Sequence, residues 1–228
     1  MPDLLEELTL NARNGDTKSQ YALGTRYAEG TDVPRDYQEA IRWLTLAANQ
    51  GFSRAYEYLG WMNLKGLGVE RDPEKGMFLI RKAADQGDAT AQNAMGAFYA
   101  EGKVVMKNLS DAATWYKKAA EQNLAVAQVN LGNLYLNGAG VPRDYAKAID
   151  CYRKAASQGY APASACLGLV YEKGIGVSCD YKEALKWYQD SATRGNASAQ
   201  MSVGRMYQKG RGVERNYAEA MRWYQESA

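Results

Sequence analysis

Along most of the chain, apolar residues recur at steps of three and four, the spacing that gathers one face of an α-helix, and glycines interrupt the pattern regularly. Ala127, Leu131, Leu134 and Tyr135 form one such stripe, which stops at Gly138. A glycine just past a helix end is free to take the left-handed conformation. The loop Gly138-Ala139-Gly140-Val141-Pro142-Arg143 leads to Asp144, a natural N-cap that accepts a hydrogen bond from an otherwise orphan backbone N–H. A second stripe, Ala148, Cys151, Tyr152, Ala155 and Ala156, closes at Gly159. The pattern predicts two helices joined by a glycine-bearing loop.

That unit repeats. Gly24, Gly60, Gly96, Gly132, Gly168 and Gly204 stand 36 residues apart, as do Gly30, Gly66, Gly102, Gly138, Gly174 and Gly210. Two further series at the same step, the first with Asn123 in one place, leave only Gly76 of the 22 glycines outside the array, so no insertion or deletion interrupts it. Trp43, Trp115, Trp187 and Trp223 share a column in which Leu79 and Cys151 fill the gaps. Asp36, Asp72, Asn108, Asp144, Asp180 and Asn216 share the cap position. Glycine inside a helix costs about 1 kcal/mol relative to alanine. Its recurrence at Gly24 and its equivalents predicts a partner helix too close for a side chain. The fold expected is all-α, with an N-terminal capping helix over 1–14 and six repeats over 15–50, 51–86, 87–122, 123–158, 159–194 and 195–228, one continuous solenoid. Asp3 to Asn14 fit a lone helix with Leu4, Leu8 and Ala12 turned to the first repeat. The chain stops before the glycine that would close the last helix, which suggests trimming of a longer protein or an end-to-end contact through the last repeat.

Composition narrows the chemistry. With no histidine among 228 residues, Ser-His-Asp and Cys-His nucleophile pairs and His-ligated metal sites are excluded. Twenty-eight Lys and Arg against 26 Asp and Glu leave a charge of +2, without the basic excess of a nucleic-acid binder. No apolar run is long enough to span a membrane, and the start shows no signal peptide, so a cytoplasmic protein is expected. Cys151, Cys166 and Cys179 are spaced unlike zinc ligands and read as free structural thiols, although a disulfide stays open. No cofactor and no metal are called for.

The string Ala127-x-x-x-Leu131-Gly132-x-x-Tyr135-x-x-Gly138-x-Gly140-Val141-x-x-Asp144-x-x-x-Ala148-x-x-x-Tyr152-x-x-Ala155-Ala156 resembles the Sel-one-like repeat, the longer-looped relative of the tetratricopeptide repeat. The resemblance runs from about Gly15 to Ala228. It implies a right-handed superhelix of antiparallel helix pairs, used mostly as a protein-binding scaffold, often in bacteria. Asp32 and Val104 depart from it by replacing the second loop glycine, and Asn63 by replacing the repeated Tyr.

By analogy with tetratricopeptide repeats, the first helix of each pair lines a concave groove. The columns that would face it vary from unit to unit while the packing columns do not. They carry a mostly apolar stripe, Tyr21, Trp61, Leu64, Val129, Leu136, Leu169 and Met201, with Asn93, Asn133 and Arg205 interspersed. Trp61 lies off the Trp packing column, and aromatics and Arg are favoured binding anchors. The competing reading is that tight winding buries the stripe between neighbouring first helices. The Gly-x-Gly-Val loops lack the preceding strand and following Lys-Ser/Thr of a phosphate-binding loop. No paired carboxylates suggest acid–base catalysis. The function expected is noncatalytic capture of a protein or peptide partner. Alternatives are a bacterial immunity protein that neutralises a toxin or effector and, less favoured, a hydrolase.

Overall fold

The computed structural model describes residues 4–227; the helix start expected at Asp3, and Ala228, lie outside them. The described residues form thirteen α-helices and no strand, in two compact units that divide between Asn108 and Leu109. The first unit holds α1 (Leu4–Arg13), α2 (Thr17–Glu29), α3 (Tyr37–Asn49), α4 (Ser53–Lys65), α5 (Pro73–Asp85) and α6 (Ala89–Glu101). The second holds α7 (Leu109–Glu121), α8 (Ala125–Asn137), α9 (Tyr145–Ser157), α10 (Ala161–Lys173), α11 (Tyr181–Thr193), α12 (Ala197–Lys209) and α13 (Tyr217–Glu226). Helices adjacent in sequence pack on each other within each unit, the contact pattern of a helix-pair solenoid.

Local chemistry sets the helix ends. Asp36, Asp72, Asp144, Asp180 and Asn216 each accept a backbone N–H from the first turn of the helix that follows. At Asp144 these bonds, with the nearby Lys147, hold the carboxyl below its ordinary value. Gly138 closes α8 at φ 64°, and its N–H returns to the Leu134 carbonyl. Of the two loop departures, Asp32 reproduces the glycine conformation, with φ 60° and an ion pair to Arg26 at 3.2 Å. Val104 does not adopt the left-handed conformation, and its loop differs there.

The glycine columns are sites of close helix approach. A Cβ on Gly60 would lie 2.5 Å from Ile80 Cγ1 and 2.7 Å from the carbonyl oxygen of Gly76, so α4 and α5 cross nearly backbone to backbone. That explains Gly76, the one glycine outside the array: it faces Gly60 across the crossing. In later repeats a ring covers the glycine instead, and a Cβ on Gly168 would meet the Tyr188 ring at 2.5 Å.

A column not singled out in the sequence joins successive repeats. The buried side chains of Gln20, Gln128 and Gln200 each donate from Nε2 to a carbonyl at the end of the preceding helix, on Ala12, Ala120 and Ala192 respectively. These bonds give a second donor to carbonyls of the last helical turn, which also accept the N–H of Gly15, Asn123 and Gly195. The alanine columns are core: Ala40, Ala47, Ala112, Ala148, Ala155 and Ala184 are fully buried.

At the N-terminus, Ala12 and Leu8 pack with Leu23 and Trp43 as expected, but Leu4 is exposed and Leu5 takes the inward place. The Trp column is filled by buried Trp43, Trp115 and Trp223. Cys151 is buried at the same position, but a thiol is much smaller than an indole. Beside it remains a cavity of 220 Å³ over Leu131 and Tyr135. All three cysteines are free. Burial pushes the thiols of Cys151 and Cys166 up to about 11, which leaves both nearly devoid of thiolate at neutral pH. Alkylation with iodoacetamide at pH 7.5 should therefore mark the exposed Cys179 first, with Cys151 and Cys166 protected until the chain unfolds. Peptide mapping that finds Cys151 or Cys166 modified first would contradict this packing.

Candidate protein-binding groove

In the first unit, Trp61 sits one residue after Gly60 on α4 and is 36% exposed. Its ring packs at a tilt on Phe98 of α6, with centroids 5.8 Å apart. Its indole N–H makes a long hydrogen bond of 3.4 Å to Glu57 Oε1, while the Thr90 hydroxyl donates to Glu57 Oε2 at 2.7 Å. Burial raises the Glu57 pKa; the donations from Thr90 and Trp61 work the other way. The indole is thus held by its neighbours while about a third of the residue stays open.

The open side borders a groove of 590 Å³ with Trp61, Leu64, Ala97 and Phe98 as its apolar wall and Pro73 and Val104 at its mouth. Lys65, Arg71, Glu101 and Lys103 rim it. Three of these are committed within the chain, for Lys103 pairs with Glu101 at 2.9 Å and Arg71 Nε donates to the Leu64 carbonyl at 3.0 Å. A second hollow of 680 Å³ shares Arg71, Pro73, Lys103 and Val104 and continues toward Asp72 and Lys75.

The opening coincides with two breaks in the repeat. In other units the second loop glycine lies against the start of the preceding repeat's second helix, and that helix commonly begins with Tyr. A Cβ on Gly68 would come 2.5 Å from Tyr37 Cβ, and Gly176 lies against Tyr145 in the same way. At the equivalent place the chain has Val104 for the glycine and Pro73 for the tyrosine. The ring that would plug the gap is missing, and the glycine that lets the loop close on it is missing too. Val104 is visible in the sequence as a departure, but the coincidence with Pro73 emerges only when the two columns are laid against each other in space.

The other predicted residues divide between the units. Tyr21 is half-buried and packs at a tilt on Phe52 with centroids 5.0 Å apart, Leu64 is half-buried in the groove wall, and Asn93 is half-buried on α6. In the second unit, Val129 is a correction. It is 8% exposed and lies in the core with Ala163, Leu167 and Tyr152, because neighbouring first helices close over that position; it offers no free surface. Leu136 is half-buried against the same core, and Asn133 is engaged by the Tyr152 hydroxyl, which donates to its Oδ1 at 2.7 Å. Leu169 and Met201 remain open, at 43% and 56% exposure. Arg205 is half-exposed and turned toward the carboxylate of Glu172.

Family and structural comparisons agree with this architecture. The Sel1 repeat model matches residues 17–52, 53–88, 89–124, 125–160, 163–196 and 197–228. The chain is similar to a Sel1 repeat protein from Oxalobacter formigenes, with 33% identity and a TM-score of 0.87 over 98% of both chains. It is also similar to a protective antigen of uropathogenic Escherichia coli strains that displays an SLR fold, with 35% identity and a TM-score of 0.90. That alignment covers 99% of this chain and 48% of the antigen, so the chain spans about half the antigen's length. An immunity protein from Pseudomonas aeruginosa aligns at 27% identity and a TM-score of 0.58, over 92% of this chain and 80% of its own. No curated protein matches. With six consecutive repeats matched and the helix-pair solenoid in place, the chain belongs to the Sel1 repeat family.

Proposed function

We propose that this protein is a noncatalytic recognition scaffold that seats a segment of a protein partner against Trp61, Leu64 and Phe98. The observation that carries the reading is the groove itself. It opens where Pro73 and Val104 break two packing columns, and Trp61, off the tryptophan packing column, lines its apolar wall. A partly exposed tryptophan beside an apolar cleft is the kind of anchor that dominates binding energies. Tyr21 and Asn93 extend the same first-helix face in this unit, and Leu136, Leu169, Met201 and Arg205 are its counterparts in the second. No cofactor enters the proposal.

The test is affinity capture with the wild-type chain against Trp61→Ala, quantified by mass spectrometry. A hot-spot role predicts a loss of roughly 2 kcal/mol or more, about thirtyfold, for the specific partner with an unchanged melting curve. Equal recovery by both proteins would remove Trp61 from the site.

A second reading is favoured by the likeness to the Pseudomonas aeruginosa immunity protein: the partner captured is a toxin or secreted effector and capture neutralises it. Protection of a host strain that expresses a candidate toxin, lost with Trp61→Ala, is the expected result. Catalytic turnover of a substrate by the purified chain would overturn both readings.

A further inference from the structure

In the second unit, three charged residues from variable columns of the repeat meet at one place. The column of Ala28, Leu64 and Leu136 holds Glu172; the column of Trp61, Asn133 and Leu169 holds Arg205; and the loop column of Leu67, Ala139 and Ile175 holds Arg211. The Glu172 side chain is only 5% exposed. Arg205 Nη2 lies 3.8 Å from its Oε2 and Arg211 Nη1 lies 3.5 Å from its Oε1, so the guanidinium groups bracket the carboxylate. From below, the Tyr188 hydroxyl donates to Oε2 at 2.9 Å.

Burying a carboxylate is costly even when it is paired, and the four preceding repeats fill this position with Ala or Leu. The arrangement is therefore poor value as packing. Its effect is to hold two arginines. Arg211 is further oriented by the Tyr181 ring, 5.3 Å from its Cζ, and Arg205 Nη2 donates to Ser202 Oγ at 3.3 Å. Both arginine side chains stay partly open to solvent, Arg211 at 39% and Arg205 at 48% exposure. Their Nε atoms, Arg205 Nη1 and Arg211 Nη2 have no hydrogen-bond partner among the described residues. Two positive charges against one negative leave an excess positive charge in a fixed fork, the geometry that recognises carboxylates. Leu169, one turn before Glu172, and Met201, one turn before Arg205, place exposed apolar side chains on the same helical faces.

We propose that Arg205 and Arg211, held by Glu172, form a recognition site for an acidic side chain of a protein partner, with an apolar residue beside it resting on Leu169 and Met201. This rests on the reading of the chain as a protein-binding scaffold and adds the chemistry that one part of the partner must carry.

The test follows the arginine Nε–H resonances of the full ¹⁵N-labelled chain during titration with N-acetyl-Leu-Glu-Leu-amide, and with the same peptide carrying Gln in place of Glu. Saturable shifts at Arg205 and Arg211 with the Glu peptide alone are expected. Removal of one charged partner should weaken that response about tenfold in Arg205→Gln and Arg211→Gln. Arg211→Lys, which keeps the charge without the fork, should fall between them and wild type. Equal responses to both peptides, or no response at either arginine in a chain with a normal melting curve, would overturn the proposal and leave the arginines as counter-charges for Glu172. If Trp61→Ala still abolishes partner capture in that case, the scaffold reading stands while this site falls.

Discussion

Gly60→Leu is expected to destabilise the protein by about 3 kcal/mol, which for a chain of this size lowers the melting midpoint by about 6–12 °C. Leucine is the better helix former, so propensity alone predicts a gain of close to 1 kcal/mol. Close packing predicts the opposite sign. The first added carbon meets Ile80 Cγ1 and the Gly76 carbonyl oxygen at 2.5 and 2.7 Å, and the second of these is backbone that cannot swing aside without separating α4 from α5. Gly168→Ala is the informative companion. There the obstacle is the Tyr188 ring, a side chain with freedom to shift, so the loss should be smaller. Thermal melts of the two variants check both sign and order, and a melting curve for Gly60→Leu equal to wild type would discredit the close crossing.

Restoring the repeat at the groove should abolish binding without harming the fold. Pro73→Tyr combined with Val104→Gly returns the Asp-Tyr helix start and the second loop glycine present in other units. Tyrosine then occupies the mouth of the groove, and the glycine lets the loop close on it as Gly68 does on Tyr37. The 590 Å³ space beside Trp61 is lost. Exclusion of a hot-spot contact should weaken partner affinity by about 2–4 kcal/mol, or thirtyfold and more. The melting midpoint should hold or rise, since the change adds packing. Calorimetric titration and a melt measure the two quantities. Full affinity in the double variant would show that the groove is not the binding site.

The fold was legible because an equal-step array reports its own packing. The glycine and alanine columns mark close approaches, the Asp and Asn columns mark helix starts, and both are local or periodic signals that one chain suffices to display. Other features needed space. Gln20, Gln128 and Gln200 share a column, yet their role depends on carbonyls contributed by the previous helix. Val129 looked like a surface residue by analogy with its column, but the neighbouring first helix buries it. The misplacement of Leu4 for Leu5 is a register error at a lone helix that has no preceding repeat to fix it. For the site, Trp61 stood out by leaving the tryptophan column, whereas Pro73 and Val104 lie in different repeats and act together only across the fold. Glu172 carries no signal by itself, because a single carboxylate in a variable column gains meaning only from the two arginines around it.

The central claim is that binding lies where the repeat is broken on the first-helix face, not merely where apolar side chains are exposed. Trp61 and Phe78 separate the two ideas: Phe78 on α5 is the more exposed, at 63% against 36%, but lines no part of the Trp61 groove. Site-specific photo-crosslinking with benzoylphenylalanine in place of each residue is the most direct measurement. A partner crosslinked from position 61 and not from position 78 is the predicted result; crosslinking from position 78 with none from position 61 would contradict it.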